Sequence, residues 1–283
     1  MLNGTIMPSD TPCLNYDNRG LLWGDSFTVQ LRGNSCRVYD FKNYFQCICK
    51  MAETIGMEMN DSFKSRIFAN DLMLLLKKNR IYKEFCATIT IFRNSNGTNK
   101  IASTNTFSTL VSVESLLHEF YSINKDGIFT DILDISKMAT QIVNPNFPYE
   151  LVCEKILEEN ELDDLIITDN SGNYRRSIYS DIFFLKDKSL IYASDPENFS
   201  INAVFSSRIM QIAKIKLGME IYQSAVNSNK LKAVDCMFLA DPVNGIRWVV
   251  GLGRERFYRG IVNDIAYEVY NYYKEEIEKQ KAG

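Results

Sequence analysis

The sequence predicts a two-domain chain of mixed helix and strand, class α+β / α/β, with a small N-terminal unit and a larger C-terminal one. Its 283 residues suit one large domain or two smaller ones. Apolar residues recur at period two in some segments and at spacings of three and four in others, in both halves of the chain. The pattern breaks at Tyr121-Ser122-Ile123-Asn124-Lys125-Asp126-Gly127. We therefore expect an N-terminal α+β domain over residues 1–118, a linker over 119–127 and a C-terminal domain over 128–283.

In the first half, Ser26-Phe27-Thr28-Val29-Gln30-Leu31-Arg32 alternates as a half-buried strand should, Gly33-Asn34-Ser35 turns, and Arg37-Val38-Tyr39 returns as a hairpin. Asp40 is placed to cap a helix whose stripe is Phe41, Tyr44, Phe45, Ile48, Met51, Ala52 and Ile55. A leucine-dense helix follows from about Phe63 to Lys78. A strand at Thr88-Ile89-Thr90-Ile91-Phe92 then ends at the turn Asn94-Ser95-Asn96-Gly97.

The second half opens with a β-like segment near Ile132 to Ile142. Pro148 suits a first helical turn, with Leu151, Val152, Ile156 and Leu157 on the buried face. Leu165-Ile166-Ile167 reads as a buried strand. Ile182–Leu185 and Leu190–Tyr192 read as a hairpin around Lys186-Asp187-Lys188. A helix from Phe205 to Leu217 closes at Gly218. Strands at Met237–Ala240 and Arg247–Val250 precede a helical tail from Ile261 to Lys281, with Ile261, Ile265, Val269 and Tyr272 on one side.

Composition narrows the function classes. Hydrophobic residues are 46 % and charged residues 24 %, ordinary for a globular protein, which excludes a disordered chain. Lys+Arg number 32 against 35 Asp+Glu, a net charge of -3, so the basic excess of a nucleic-acid binder is missing. No apolar run approaches the roughly 20 residues of a membrane span, and Met1-Leu2-Asn3-Gly4-Thr5 lacks a signal-peptide pattern. The expectation is a cytoplasmic protein with no membrane partner.

The chemistry-bearing residues give little by themselves. The seven cysteines form no CxxC pair and read as free thiols of a reducing compartment. His118 is the single histidine, which excludes a multi-His metal site, and no metal is expected. It lies in an apolar stretch and reads as a packed residue. Gly251-Leu252-Gly253-Arg254-Glu255-Arg256 has Arg where a dinucleotide fingerprint needs its last Gly, so it reads as a tight turn. Asp163-Asp164 and Glu275-Glu276 lie in charge-rich runs read as solvated.

A family resemblance rests on several motifs in order. Asn3-Gly4 is similar to an opening strand, and Asn18-Arg19-Gly20-Leu21-Leu22-Trp23-Gly24-Asp25 to an Asp-Arg-Gly…Gly-Asp-Gly segment. Asp163-Asp164-Leu165-Ile166-Ile167-Thr168-Asp169 with Gly172 is similar to a strand and turn, Asp181–Leu185 to a Ser-Asn-x-Phe strand, and Ser207-Arg208 to a Gly-Ile-Thr-Arg helix start. In this order they resemble the class IV aminotransferases, which include branched-chain and D-amino-acid aminotransferases and aminodeoxychorismate lyase. The resemblance implies the two-domain fold of these enzymes, a pyridoxal phosphate (PLP) cleft between the domains, and a homodimer.

Carried over position by position, the resemblance also implies that the cofactor's handles are lost. The Schiff-base lysine position, fixed from the Asp164–Ile167 strand and Asn146, falls on Val143, which has no amine. Lys137, six residues upstream, would lie about 20 Å away along a strand. The glutamate that pairs with the pyridinium nitrogen falls on Arg176, and the phosphate-binding arginine on Cys47. The glycine of the phosphate loop falls on Phe205, and a later Ser/Thr pair on Pro242 and Val243. Ser207 alone keeps a hydroxyl at a phosphate position, with Arg208 next to it.

Three readings follow. The first is a pseudoenzyme: a class IV aminotransferase-like homodimer with no catalytic residue and no cofactor, binding a small molecule or acting as a regulator. Its degenerate cleft would hold Cys47, Val143, Arg176, Phe205, Ser207, Arg208, Pro242 and Val243. The second is a divergent PLP enzyme, a transaminase or 4-amino-4-deoxychorismate lyase, if the lysine assignment is wrong. The third is a PLP-independent site in which Arg176 and Arg208 grip a small anionic metabolite.

Overall fold

The computed structural model of the chain describes residues 1–59, 63–95, 102–117, 121–134, 149–193 and 200–282. They fall into two compact units, Met1–Phe120 with Phe199–Val204, and Tyr121–Asn198 with Phe205–Gly283. His118, Lys137, Val143, Asn146 and Pro148, the turn at 96–97 and the β-like stretch beyond residue 134 lie outside the described residues.

The first unit is an antiparallel sheet of β1 (Ser26–Asn34), β2 (Arg37–Val38), β3 (Phe85–Arg93) and β4 (Phe107–Ser115), in the order β2-β1-β3-β4. The β1–β2 turn centres on Ser35 and Cys36, at φ 51° and 62°, one residue beyond the expected turn. Two positive φ values match the right-handed twist of paired strands. Alternation sorts the faces: Val29, Leu31, Ile89, Ile91 and Val111 enter the core, while Thr28 and Thr90 share a 2.9 Å hydrogen bond on the exposed face. The core is completed by α2 (Phe41–Thr54) through Tyr44 and Ile48, and by α3 (Ser65–Lys78) through Leu72 and Leu76. Asp40 sits before α2 in a left-handed conformation and makes no side-chain cap bond, contrary to its expected role.

Two charge clusters tie this unit together. Asp25 Oδ2 accepts from Arg19 Nε of α1 (Arg19–Trp23) at 3.0 Å and from Arg93 Nε at 2.9 Å. Arg93 also donates to the carbonyls of Ile55 and Gly56, where α2 ends. The Arg19…Asp25 motif thus has a structural task here. Deeper, Glu84, whose side chain is 0 % exposed, accepts from Arg32 Nε at 2.5 Å, from Asn34 Nδ2 at 2.8 Å and from the Tyr39 hydroxyl.

The second unit is built on a large sheet in the order β10-β9-β8-β12-β13-β5-β6-β7-β11, with β14 (Glu255–Arg256) beside β13. The strands are β5 (Ile128–Asp134), β6 (Asp164–Thr168), β7 (Asn173–Ser177), β8 (Asp181–Lys186), β9 (Ser189–Tyr192), β10 (Glu220–Gln223), β11 (Val226–Asn227), β12 (Cys236–Asp241) and β13 (Gly245–Leu252). β10 and β11 end the order on opposite sides, yet only Ser224 and Ala225 separate them in the chain. The sheet must therefore curl until its two edges approach, as barrels do. Inside the curl lie Ile166, Tyr174, Ile182, Phe184, Met237, Leu239 and Val249. β6, β8 and β12 are buried on both faces, which explains their nearly continuous apolar runs.

Four helices belong to this half: α4 (Tyr149–Asn160), α5 (Asn202–Leu217), α6 (Ser228–Leu231) and α7 (Val262–Ala282). In α4 the buried face is set by Cys153, 0 % exposed, and the expected Leu151 is 56 % exposed. α7 buries Val262, Ile265, Ala266, Val269, Tyr270 and Tyr273. Gly253, at φ 55°, makes the tight turn between β13 and β14, as expected. Among the described residues no helix is long and apolar enough to cross a membrane.

Removing the Glu84 carboxylate should leave Arg32, whose side chain is 7 % exposed, as a buried charge without its counterion. Glu84→Ala is expected to cost about 3–5 kcal/mol in urea unfolding. A loss below about 1 kcal/mol, the range of exposed pairs, would contradict this account of the core.

Candidate functional site

Strand direction gathers the polar residues of the second unit at one end of its sheet. β6 and β8 begin there with Asp164 and Asp181, β12 ends there with Asp241, and β7 ends there with Arg176 and Ser177. Asp164, Asp181 and Asp241 are 1 %, 4 % and 4 % exposed, an unusual burial for carboxylates. Each is held by several donors.

Asp181 Oδ2 accepts from the Tyr192 hydroxyl at 2.6 Å and from Ser206 Oγ of α5 at 2.7 Å. Burial raises the Asp181 carboxyl above the usual carboxylate range; its two hydroxyl donors and the Arg176 charge oppose that rise, and the Asp241 charge adds to it. Asp241 Oδ1 accepts the amides of Val243 at 2.9 Å and Asn244 at 2.7 Å, and its Oδ2 accepts Ser180 Oγ at 2.9 Å. Arg247 Nη2 bridges the network, donating to Asp164 Oδ2 at 2.6 Å and to Ser180 Oγ at 3.0 Å. Asp164 also takes Ser177 Oγ at 3.1 Å and the Leu165 amide at 2.9 Å. The Asp163-Asp164 run is therefore solvated only at Asp163. Asp164 is a buried partner of Arg247, and Asp163 accepts the Phe129 amide at 2.7 Å.

An aromatic cluster lies beside this network. Phe205 is 0 % exposed, its ring centroid 5.7 Å from Tyr121 and 6.1 Å from Tyr273. Tyr121 stacks on Tyr270 at 5.1 Å and donates to the carbonyl of Pro242 at 2.5 Å. Gly245 is required here: its φ is +78°, and a Cβ would stand 2.6 Å from the Tyr121 ring and 2.8 Å from the Tyr270 hydroxyl.

The sequence-assigned positions take distinct places. Arg176 is exposed on β7, and its charge acts on Asp181 and Cys153. Phe205, Pro242 and Val243 belong to the polar and aromatic end just described. Ser207 is exposed on α5. Arg208 turns onto α7, its guanidinium 4.5 Å over the Tyr272 ring and 2.6 Å from Gln211 Oε1. Cys47, in the first unit, is buried in α2, donates to the Ser200 carbonyl at 3.4 Å, and has its thiol pushed up to about 11 by burial. Val143 lies outside the described residues. The sequence did not single out Asp181, Asp241, Ser180, Ser206, Tyr192 or Arg247. An Asp opening an apolar strand at Asp181 was the available signal.

A phosphate group needs several free donors, and of these positions only the exposed Ser207 keeps a hydroxyl to offer. α5 starts at Asn202, with Ser200 Oγ accepting the Ala203 amide at 3.2 Å, whereas the resemblance implied a helix start at Ser207-Arg208. The amides of Ser206 and Ser207 consequently lie in the second turn, where intrahelical bonding satisfies them. Pro242 has no N–H, and the Val243 N–H is taken by Asp241. At Cys47 a neutral thiol replaces a guanidinium. Among the described residues no group of three or more His, Cys, Asp and Glu could hold a metal ion.

A raised carboxyl in the fold makes its ionisation oppose folding. The stabilisation from holding that proton is full below the unfolded carboxylate value and is lost as pH rises through the raised folded value. Asp181→Asn removes this dependence. Its melting temperature relative to the natural chain should climb steadily as pH rises from about 4. A difference that stays flat with pH would contradict the burial account.

No protein-family model matches the chain. A curated relative, "Probable branched-chain-amino-acid aminotransferase" of Rickettsia felis, is 23 % identical over 235 residues, covering 82 % of this chain and 79 % of the relative. Among solved structures, the branched-chain aminotransferase of Thermoproteus uzoniensis superposes with a TM-score of 0.79 at 12 % identity, covering 99 % of this chain and 95 % of that one. A putative 4-amino-4-deoxychorismate lyase from Legionella pneumophila gives 0.72 at 16 % identity, covering 92 % and 95 %. The Escherichia coli branched-chain aminotransferase gives 0.75 at 13 % identity, covering 93 % and 90 %. The chain resembles the class IV aminotransferases in sequence motifs, and its fold is theirs.

Proposed function

We propose that this class IV aminotransferase-like chain has left PLP chemistry and acts as a cytoplasmic homodimer that binds a small molecule or regulates a partner. One observation carries the reading: at the positions assigned to the cofactor phosphate, the donors other than the exposed Ser207 hydroxyl are engaged within the protein or missing. The Val243 amide serves Asp241, Pro242 has no donor, Phe205 and Cys47 bring no cation, and the neighbouring Ser206 hydroxyl serves Asp181. Two buried acids, Asp181 and Asp241, lie beside Ser206 and Val243, and an ionised carboxylate there would repel a phosphate dianion strongly in a low-dielectric interior. Charge-assisted hydrogen bonds worth about 1.5–3 kcal/mol each would be forgone.

The homodimer is carried over from the family resemblance. Exposed apolar side chains on the first unit, Leu21 at 65 % and Tyr16 at 86 %, supply surface suited to a partner.

The second reading is a divergent PLP-dependent aminotransferase or aminodeoxychorismate lyase, favoured by the name of the Rickettsia relative. It needs a lysine other than the assigned Val143. Borohydride reduction of the purified chain after incubation with excess PLP, followed by peptide mass spectrometry, separates the two. We expect a colourless protein and no site-specific pyridoxyl-lysine. A single lysine modified stoichiometrically would overturn the proposal and restore the enzyme.

A further inference from the structure

We propose that Asp241 is a built-in anion: the turn Asp241–Gly245 is an anion cradle filled by its own side chain. This deepens the reading above, resting on the same assignment of Pro242 and Val243 to the phosphate position. The donors converge from several sides. The amides of Val243 and Asn244 reach Oδ1 at 2.9 and 2.7 Å, and Asn244 Nδ2 reaches Oδ1 and Oδ2 at 3.3 and 3.2 Å. Ser180 Oγ, on another segment, reaches Oδ2 at 2.9 Å. Successive amides facing one negative group form the arrangement by which turns hold anions.

The cradle is also fixed from behind. Tyr121 holds the Pro242 carbonyl at 2.5 Å, and Tyr270 accepts the Ile246 amide at 2.9 Å, so the turn is braced on both sides of its donors. Arg247 holds Ser180 at 3.0 Å and thereby orients the hydroxyl that reaches Asp241. Asp241 is 4 % exposed, so its carboxylate fills the cradle from inside the protein. A covalently tethered anion loses little entropy on binding, whereas a diffusing phosphate must supply it. The turn is thus already saturated, and external phosphate has no vacancy to enter.

Two measurements with inorganic phosphate test this. In the natural chain, the Val243 and Asn244 amide resonances should exchange slowly with solvent and stay unmoved as phosphate is added. In Asp241→Ala the cradle is emptied, and phosphate should raise the melting temperature by several degrees while leaving that of the natural chain unchanged. Phosphate-dependent movement of those two amides in the natural chain overturns the proposal. So does an Asp241→Ala protein no more responsive than its parent. If that variant fails to fold, the amide titration of the natural chain decides alone. A pyridoxyl-lysine would sink the functional reading by a separate signal, so the two failures are distinguishable.

Discussion

The constraint on which this structure turns is that a buried polar group must find a partner. At one end of the second unit's sheet, amides and hydroxyls from α5, β7, β9, Ser180 and the β12–β13 turn converge. In this chain they end on carboxylates of the protein itself. Asp181 takes the donors of α5 and β9, and Asp241 takes those of the turn after β12. Removing a ligand from such a place would leave orphaned N–H and O–H groups at a cost of about 1–3 kcal/mol each. Internal acids meet that requirement without a ligand.

The apolar part of the region follows the same logic. Phe205 is buried there against Tyr121 and Tyr273, so this end of the unit is filled by aromatic packing. The early start of α5 draws in the amides that a helix N-terminus would otherwise present. Electrostatics link the two acids, since the Asp241 charge adds to the rise that burial gives the Asp181 carboxyl. Arg176 acts on Asp181 from an exposed strand position and opposes that rise. Fold and chemistry are separable: this chain has the fold of the class IV aminotransferases, and a fold alone does not fix the chemistry of its sites.

What the sequence disclosed depended on range. Strands with one wet face, such as Thr88–Phe92, announce themselves by alternation, and the tight turn at Gly253 by composition. Asp164 was misread because its neighbours are acidic and solvated, while its partner Arg247 lies 83 residues away. No local pattern encodes such a pair. α5 starts at Asn202, three residues before the expected Phe205, because Ser200 caps it through the Ala203 amide. Leu151 was placed in the core by spacing, yet Cys153 takes that face because α4 lies against β6 through Leu165 and Ile178. The assigned positions Phe205, Pro242 and Val243 could be found from motif order. The acids that partner them could not, since burial of Asp181 and Asp241 emerges only when distant strands align.

The central claim is that the donors of this region are committed inward and leave no place for the PLP phosphate. Calorimetric titration of the purified chain with PLP, with pyridoxal as the phosphate-free control, reads that commitment directly. The account predicts no saturable heat for PLP beyond that of pyridoxal, with any residual affinity weaker than about 1 mM. A PLP-specific dissociation constant of about 1 μM or tighter, near -8 kcal/mol, would contradict it.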